Sequence, residues 1–213
     1  REGMDFHSKR ISFSPDGQVF NFYSKIGTLR DIKTPFKGRH QIGNMSVVVF
    51  AALLLDKMGF TITEEAVYKG IETTFWPCRF LILQKGPVII IDGAHNPDGI
   101  KTLLDTLSEL YPDKRFSFLM GILKDKNWQK MLSLIFNSNR IKEIVFTTPD
   151  SERAISPDVL AGFVLKKQRS IPVKIINTPS KALKYIKSTG ENWCICGSLY
   201  LCGDIIREKG GFI

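Results

Sequence analysis

The stretch Val88-Ile89-Ile90-Ile91-Asp92-Gly93-Ala94-His95-Asn96-Pro97-Asp98-Gly99 decides the fold of this chain. Its four apolar residues predict a strand covered on both faces, and the polar residues after them lead into a helix. In an open α/β sheet, ligands bind beyond the carboxyl ends of the strands. Asp92 can there accept hydrogen bonds from ribose hydroxyls or orient a metal-bound water, and His95 can donate to a phosphate oxygen. A simple turn is the alternative, with Asn96 capping the helix.

Strand and helix patterns alternate downstream of this stretch with short gaps. Such alternation predicts βαβ units, and therefore an α/β fold with a largely parallel sheet that carries helices on its faces. We expect strands near residues 80–83, 88–91, 116–120, 143–147, 173–176 and 193–196, and helices near 99–110, 128–136, 157–167, 180–188 and 198–208.

The upstream part follows a different pattern. Residues 11–23 alternate apolar and polar side chains on both sides of Pro15-Asp16-Gly17, which predicts a β-hairpin. Residues 40–58 predict a long, largely buried helix that closes at a glycine, and Thr63 starts a second helix through about residue 71. We therefore place a domain boundary near residues 75–79, with residues 1–75 ending one domain and residues 76–213 forming the next.

Composition limits the class of protein. The chain has 213 residues, of which 43% are hydrophobic and 24% charged, which is typical of a globular protein with one domain and part of another. The net charge of +9 favours phosphates, nucleotides or acidic small molecules as ligands. The basic residues are spread singly without a basic stripe, so we expect no nucleic acid partner.

Apolar runs and cysteines indicate the compartment. The longest apolar run, residues 47–55, is far shorter than the ~20 residues that cross a bilayer, so we expect a soluble protein without a membrane partner. Four cysteines without an apolar signal segment favour a reduced, cytoplasmic protein. Cys194 and Cys196 form a C-x-C pair that lacks further ligands at zinc spacing, so buried thiols are expected rather than a metal site.

Five motifs in order resemble one family. Residues 92–97 (DGAHNP) are similar to a signature of folylpolyglutamate and dihydrofolate synthases, relatives of the Mur peptide ligases. Four further segments resemble motifs of the same family: 38–44 (GRHQIGN) is similar to G-x-H-Q-x-x-N, 76–79 (WPCR) to W-P-G-R, 120–126 (MGILKDK) to M-G-x-L-x-D-K, and 197–203 (GSLYLCG) to G-S-L-Y-L-V-G.

The resemblance implies an ATP-dependent ligase. In that family ATP phosphorylates a folate carboxylate, and the amino group of L-glutamate attacks the acyl phosphate. The implied ligands are ATP with Mg²⁺, L-glutamate, and a folate or dihydropteroate, and the implied state is a monomer. The implied fold is a Rossmann-like, mostly parallel sheet with helices on both faces, preceded by the hairpin and helices that end a Mur-ligase-type central domain.

Site residues follow from the resemblance position by position. Gln41 and Asn44 fall where the family contacts adenine, and their spacing puts both amides on one helix face. Arg79 falls where an arginine reaches the terminal phosphate, a bidentate role that lysine does not copy. Asp92 falls at the ribose or the ion-water shell, and His95 at the phosphates or the incoming glutamate. The implied catalytic residues are Arg79 and His95.

Two further positions are implied by the same resemblance. Lys126 falls near the nucleotide, and Ser198 falls near the glutamate. Each of the implied positions also has a structural interpretation. Ser198 can be a helix N-cap, Lys126 can belong to a polar loop, and Gln41 and Asn44 can make local caps.

Departures from the family pattern concern the phosphate site. Cys78 stands where the family has glycine, so the turn before Arg79 has to accommodate a Cβ. The chain contains no Gly-Lys dipeptide and therefore no P-loop. We expect the magnesium ligands and folate loops in a missing N-terminal P-loop domain, and expect this chain alone to be inactive. The alternatives are another Mur-type amino-acid ligase, or a non-catalytic nucleotide-binding or interaction module.

Overall fold

A three-stranded antiparallel sheet opens the chain in the computed structural model, which describes residues 2–138, 140–167 and 170–210. The strands are β1 (Phe6–Ser14), β2 (Gly17–Ser24) and β3 (Gly27–Thr34). Ser14 pairs with Gly17 across a tight turn, which confirms the predicted hairpin.

The third strand, β3, was not predicted. Its buried side chains Leu29 and Ile32 lie three residues apart and pair with Phe22 and Phe20, so the register shifts between these pairs. Asp31, inside the irregularity, has a φ of 54°. The extra residue breaks the period of two by which a strand is recognised.

Two helices follow the first sheet. Helix α1 (Arg39–Lys57) and helix α2 (Glu64–Thr73) confirm the predicted helices, and the Thr63 side chain caps α2 by accepting the Ala66 N–H at 3.2 Å. Apolar side chains of α1, α2 and the sheet form one buried cluster: Phe6, Phe20, Phe22, Leu29, Ile32, Ile42, Val49, Val67 and Ile71.

The prediction of a largely buried α1 is wrong. Within the described residues, α1 buries one narrow stripe, which includes Ile42 and Val49. Val47, Val48 and Leu54 remain 55%, 48% and 41% exposed. The reason is that the described part of this unit packs against one side of the helix.

A six-stranded sheet forms the second part of the described chain. Its strands are β4 (Leu81–Lys85), β5 (Val88–Ile91), β6 (Phe116–Met120), β7 (Ile141–Phe146), β8 (Val173–Ile175) and β9 (Trp193–Cys196), in the order β4-β5-β9-β6-β7-β8. Only the β4 and β5 pair is antiparallel among these described strands. The mostly parallel α/β sheet is thereby confirmed.

Helices cover both faces of this sheet, as predicted. Helices α3 (Pro97–Leu110), α4 (Trp128–Phe136) and α5 (Pro157–Lys167) contribute to one buried cluster, and α6 (Pro179–Thr189) and α7 (Leu199–Lys209) to another. Neighbouring residues of β5 join opposite clusters, with Ile90 in the first and Ile89 in the second. The strands therefore lie between two apolar layers.

The chain divides into two compact units, Arg1–Pro77 and Cys78–Ile213. We call them unit 1 and unit 2. No helix among the described residues combines the length and the apolar character that a membrane span requires.

Candidate functional site

Asp92 is the first residue after β5, and both of its carboxylate oxygens are bound. Oδ1 accepts the Ala94 N–H and Oδ2 accepts the Phe80 N–H, each at 2.8 Å. Burial raises the pKa of Asp92 above its usual range, outweighing these two amide donors and the charge of Arg79, which lower it. The side chain thus fastens the start of β4 to the loop after β5.

His95 has one ring nitrogen engaged, and its other ring nitrogen has no partner among the described residues. Its Nδ1 lies 2.7 Å from the carbonyl oxygen of Gly93. Because a carbonyl only accepts, Nδ1 carries the proton, which leaves Nε2 available. Nε2 can accept a hydrogen bond from an ammonium group when the ring is neutral, or donate to a phosphate when the ring is charged.

Asn96 caps helix α3. Its side-chain oxygen accepts the Gly99 N–H at 2.7 Å, and Pro97 occupies the first turn. The capping interpretation of Asn96 is confirmed, since this oxygen satisfies one of the unpaired amides of the helix start.

The end of β9 lies against the same loop. Gly197, with a φ of 110°, donates its N–H to the carbonyl of Ala94 at 2.9 Å. Ser198 is 1% exposed, and its hydroxyl oxygen accepts the Leu201 N–H at 3.1 Å as the N-cap of α7. The structure thus brings Ser198 close to the loop that carries His95. The Ser198 hydroxyl oxygen caps the start of α7.

Lys126 belongs to a charged cluster after β6. Its Nζ lies 2.8 Å from Oδ2 of Asp125, and this hydrogen bond lowers the pKa of Asp125. Arg153 lies 3.7 Å from the other Asp125 oxygen and donates to the Tyr200 hydroxyl at 3.2 Å. Sequence reasoning assigned no role to Arg153 or Tyr200, because Arg153 lies in the loop after β7 and Tyr200 in the first turn of α7, far apart in the chain.

Arg79 is exposed between two buried neighbours. Cys78 and Phe80 have φ values of 59° and 48°, and both side chains point into the apolar interior. The left-handed conformation of Cys78 costs about 1 kcal/mol that a glycine would avoid. The Arg79 guanidinium has no hydrogen bond or ion pair within residues 2–138, 140–167 and 170–210. It is therefore available to an anion.

Gln41 and Asn44 lie in unit 1, on α1. The Asn44 amide donates to Oε1 of Gln41 at 3.1 Å, which confirms that both lie on one helix face. This bond does not use the Asn44 oxygen, an acceptor, or the Gln41 amide nitrogen, a donor. An adenine edge offers the complementary donor and acceptor. Asn44 also lines a cleft of about 540 Å³ together with the basic residues Arg10, Arg39 and His40.

Unit 2 has a cleft of about 880 Å³ at the carboxyl ends of β7 and β8. Its lining includes Asp150, Ser180, Asp204 and Arg207. The described lining residues include no predicted site residue, so this cleft is distinct from the loop after β5.

A metal site is not formed by the residues that the structure describes. They contain no group of three or more His, Cys, Asp or Glu side chains that could hold an ion. Asp92 has both oxygens bound to amides, and Cys194 and Cys196 are buried within β9. The described residues therefore form no preassembled cluster of metal ligands.

Unit 2 is an α/β domain whose polar loops gather beyond the carboxyl ends of β5, β6 and β9, the edge at which open α/β sheets bind ligands. Residues 78–198, more than half of the chain, match the family model described as "Mur ligase, glutamate ligase domain". The chain belongs to the Mur ligase family.

Curated and solved relatives agree with the motif resemblance. The dihydrofolate synthase/folylpolyglutamate synthase of Bacillus subtilis is 31% identical over 200 residues, which cover 91% of this chain and 45% of the relative. The structure of folylpolyglutamate synthase from Thermotoga maritima superposes with a TM-score of 0.81 at 28% identity, over 97% of this chain and 47% of that chain.

A third relative was solved with nucleotides. Folylpolyglutamate synthase of Mycobacterium tuberculosis, complexed with ADP and AMPPCP, has a TM-score of 0.87 at 25% identity and covers 100% of this chain and 49% of its own. The chain thus spans about half the length of the relatives that it matches.

Proposed function

We propose that this chain is the C-terminal part of an ATP-dependent ligase that joins L-glutamate to the carboxylate of a folate or dihydropteroate. The observation that carries the proposal is the loop of residues 92–97 after β5, which leaves Nε2 of His95 free. Membership of the Mur ligase family and the folylpolyglutamate synthase relatives support this assignment.

Arg79 and His95 are proposed as the catalytic residues. Arg79 is an exposed cation without a hydrogen bond or ion pair in the described residues, so it can neutralise charge on a transferring phosphoryl group. Its planar fork can bind two oxygens at once, which an ammonium cannot. Nε2 of His95 would bind a phosphate oxygen or accept a hydrogen bond from the ammonium group of glutamate.

The other implied residues are proposed to position ligands. Gln41 and Asn44 would bind the adenine edge with one donor and one acceptor. The Lys126 ammonium group would donate a hydrogen bond to a phosphate oxygen while it keeps its ion pair with Asp125. Asp92 would contact the ribose or the ion-water shell, and its two amide bonds already hold the loop in shape.

Ser198 is proposed at the glutamate site. The hydroxyl oxygen of Ser198 caps α7. The hydroxyl group would therefore act on glutamate as a hydrogen-bond donor.

ATP would supply the phosphoryl group that activates the carboxylate. Magnesium would be held mainly by residues of the N-terminal P-loop domain outside this chain. Residues 1–75 would then end an ATP-binding central domain, and residues 76–213 would form the C-terminal domain. The exposed apolar side chains of α1 support packing of that helix against a further part of the central domain.

The test uses the longer protein that contains these residues. Folate- and glutamate-dependent release of ADP is measured for the unchanged protein and for the variants Arg79→Ala, Arg79→Lys and His95→Ala. We expect kcat to fall by about 100-fold or more for Arg79→Ala, as for the loss of a group that stabilises transition-state charge. Arg79→Lys should recover little of this loss.

Arg30→Ala is the matched control, because Arg30 is also an exposed arginine. It should keep the activity of the unchanged protein. Full activity in both Arg79 variants and in His95→Ala would instead support a non-catalytic module. Glutamate-independent turnover, or turnover with another carboxylate but no folate, would assign a different Mur-type ligase. The 213-residue chain alone should form no product.

A further inference from the structure

We propose that Asp92 is a positioning residue for Arg79: its side chain holds the turn that carries the Arg79 guanidinium, and it acts on the terminal phosphate of ATP through Arg79. This role rests on the proposed function, because the contact of Arg79 with the terminal phosphate comes from there. It is a task within the protein, which a direct contact between Asp92 and the ribose does not require.

Two hydrogen bonds hold the residues on either side of Arg79. The Phe80 N–H donates to Oδ2 of Asp92 at 2.8 Å, and the Gly93 N–H donates to the carbonyl oxygen of Cys78 at 2.7 Å. Both bonds join the turn to the loop after β5, and Arg79 lies between them in the chain. The backbone of Arg79 is therefore held against that loop from both sides.

The turn has a backbone conformation that needs such support. Cys78 and Phe80 have φ values of 59° and 48°, a region that residues with a Cβ rarely adopt. Their side chains are buried, and backbone strain of this kind persists only where the surrounding structure holds it. Because Asp92 supplies the described partner of the Phe80 amide, its loss would let the turn relax and move Arg79.

The loop that carries Asp92 is itself fixed to the sheet. The Asp92 N–H donates to the carbonyl oxygen of Ile195, and the Gly197 N–H donates to the carbonyl oxygen of Ala94, each at 2.9 Å. Ile195 belongs to β9, which lies between β5 and β6 in the sheet. The Asp92 carboxylate is therefore an acceptor at a fixed place, against which the turn is held.

The same loop also holds His95. Gly93 bonds Cys78 through its N–H, and its carbonyl oxygen lies 2.7 Å from Nδ1 of His95. The two proposed catalytic residues thus belong to one hydrogen-bonded unit. Misplacing a catalytic group by about 1 Å can lower a rate by about 100-fold, so the acceptor that holds the turn of Arg79 has a direct effect on function.

The experiment measures how tightly the longer protein that contains these residues binds ADP and AMPPCP in the presence of Mg²⁺. AMPPCP carries the terminal phosphate that ADP lacks, and its methylene bridge prevents phosphoryl transfer. A contact with the ribose is common to both nucleotides, so it cancels in the ratio of their Kd values. That ratio therefore reports on the terminal phosphate.

We expect Arg79→Ala to weaken AMPPCP binding by about tenfold or more and to leave ADP binding nearly unchanged, as for the loss of hydrogen bonds between charged groups. Asp92→Asn cannot accept a hydrogen bond through its amide nitrogen, and it should shift the ratio several-fold in the same direction. The double variant should have the ratio of Arg79→Ala alone, because Asp92 acts on the phosphate through Arg79.

Asp204→Asn is the matched control. Asp204 is 6% exposed and also accepts a backbone N–H from a distant residue, that of Asp150 at 2.9 Å, at the separate cleft of unit 2. This variant should keep the Kd ratio of the unchanged protein. Retained ADP binding shows that each variant folds.

Amide hydrogen exchange of the unchanged 213-residue chain tests the turn without any variant, and the Phe80 N–H should be protected. Three results would overturn the proposal: an unchanged Kd ratio in Asp92→Asn or in Arg79→Ala, a further shift of the ratio in the double variant, or exchange of the Phe80 N–H as fast as that of an exposed amide. A lack of folate- and glutamate-dependent ADP release by the unchanged protein would instead contradict the proposed ligase function.

Discussion

At the scale of the residue, Asp92 and Asn96 lie in the same loop, and their similar side chains stabilise it in different ways. Asp92 accepts two backbone amides from opposite sides of the loop, under burial that raises its pKa. Asn96 accepts one amide at the exposed start of α3. The loop is therefore shaped by its own polar side chains before any ligand binds.

The raised pKa of Asp92 predicts a pH dependence of stability. Between the unfolded and folded pKa values the folded state holds a proton that the unfolded state has released, so the free energy of unfolding decreases as pH rises. Asp92→Asn lacks this ionisation. The stability of the unchanged chain relative to Asp92→Asn should therefore be greatest at low pH and decline as pH rises through the folded pKa of Asp92.

Urea unfolding of both proteins from about pH 3.5 to pH 7 measures the difference. A stability difference that grows in favour of the unchanged chain with rising pH would contradict the prediction. It would show that the two amide donors outweigh burial and hold the pKa of Asp92 low.

Loss of the Asn96 cap predicts a moderate loss of stability. Asn96→Ala should lower the free energy of unfolding by about 1 kcal/mol, and Asn96→Asp should keep the cap. Asn137→Ala is the matched control, because Asn137 is exposed at the C-terminal end of α4 and its side chain caps no helix start. Urea denaturation of the three variants tests this order, and equal losses for Asn96→Ala and Asn137→Ala would contradict it.

At the scale of the element, strand β9 passes into helix α7 through Gly197, where the backbone conformation strains any residue with a Cβ. Gly197 has a φ of 110°, and a Cβ there would lie 3.0 Å from the carbonyl oxygen of Gly121. This close approach joins the loop after β9 to the loop after β6. The turn therefore sets the place where Ser198 begins α7.

The Gly197 turn predicts a larger penalty than an ordinary helix cap. Gly190 ends α6 with a φ of 65° and has open space where a Cβ would lie, so Gly190→Ala should cost only about 1 kcal/mol of backbone strain. Gly197→Ala adds a tight contact with the Gly121 carbonyl oxygen to the backbone strain and should cost clearly more. Chemical denaturation compares the free energies of unfolding of the two variants. Similar losses would show that the loop after β6 moves aside without a loss of stability.

At the scale of the whole molecule, the chain consists of two units with separate cores. Unit 2 encloses its sheet between two apolar clusters. Unit 1 has one cluster and leaves apolar side chains of α1 exposed. The two units are therefore unequal in how completely they bury their apolar surface.

This difference predicts that residues 78–213 fold without unit 1. The fragment should show a cooperative urea transition by circular dichroism, because its core is closed on both faces of the sheet. Residues 1–77 alone should bind a hydrophobic dye through exposed α1 side chains such as Val47 and Leu54. A fragment of residues 78–213 without a cooperative transition would contradict the prediction.

Local patterns were sufficient for most elements. Period-two and helical patterns predicted the hairpin, both helices of unit 1, and every strand and helix named above for unit 2, because apolar spacing and caps such as Thr63 act within a few residues. They failed for β3, where an extra residue disrupts the period, and for the burial of α1, which depends on what packs against it.

The sequence by itself determined that buried strands alternate with helices and that a DGAHNP loop follows β5, since these depend on neighbouring residues. Only the tertiary structure decided the strand order β4-β5-β9-β6-β7-β8 and the joining of Arg153 to Asp125 and Tyr200. Such pairings form between residues far apart in the chain. Their partners are set by how the helices and strands pack, which no local pattern of side chains encodes.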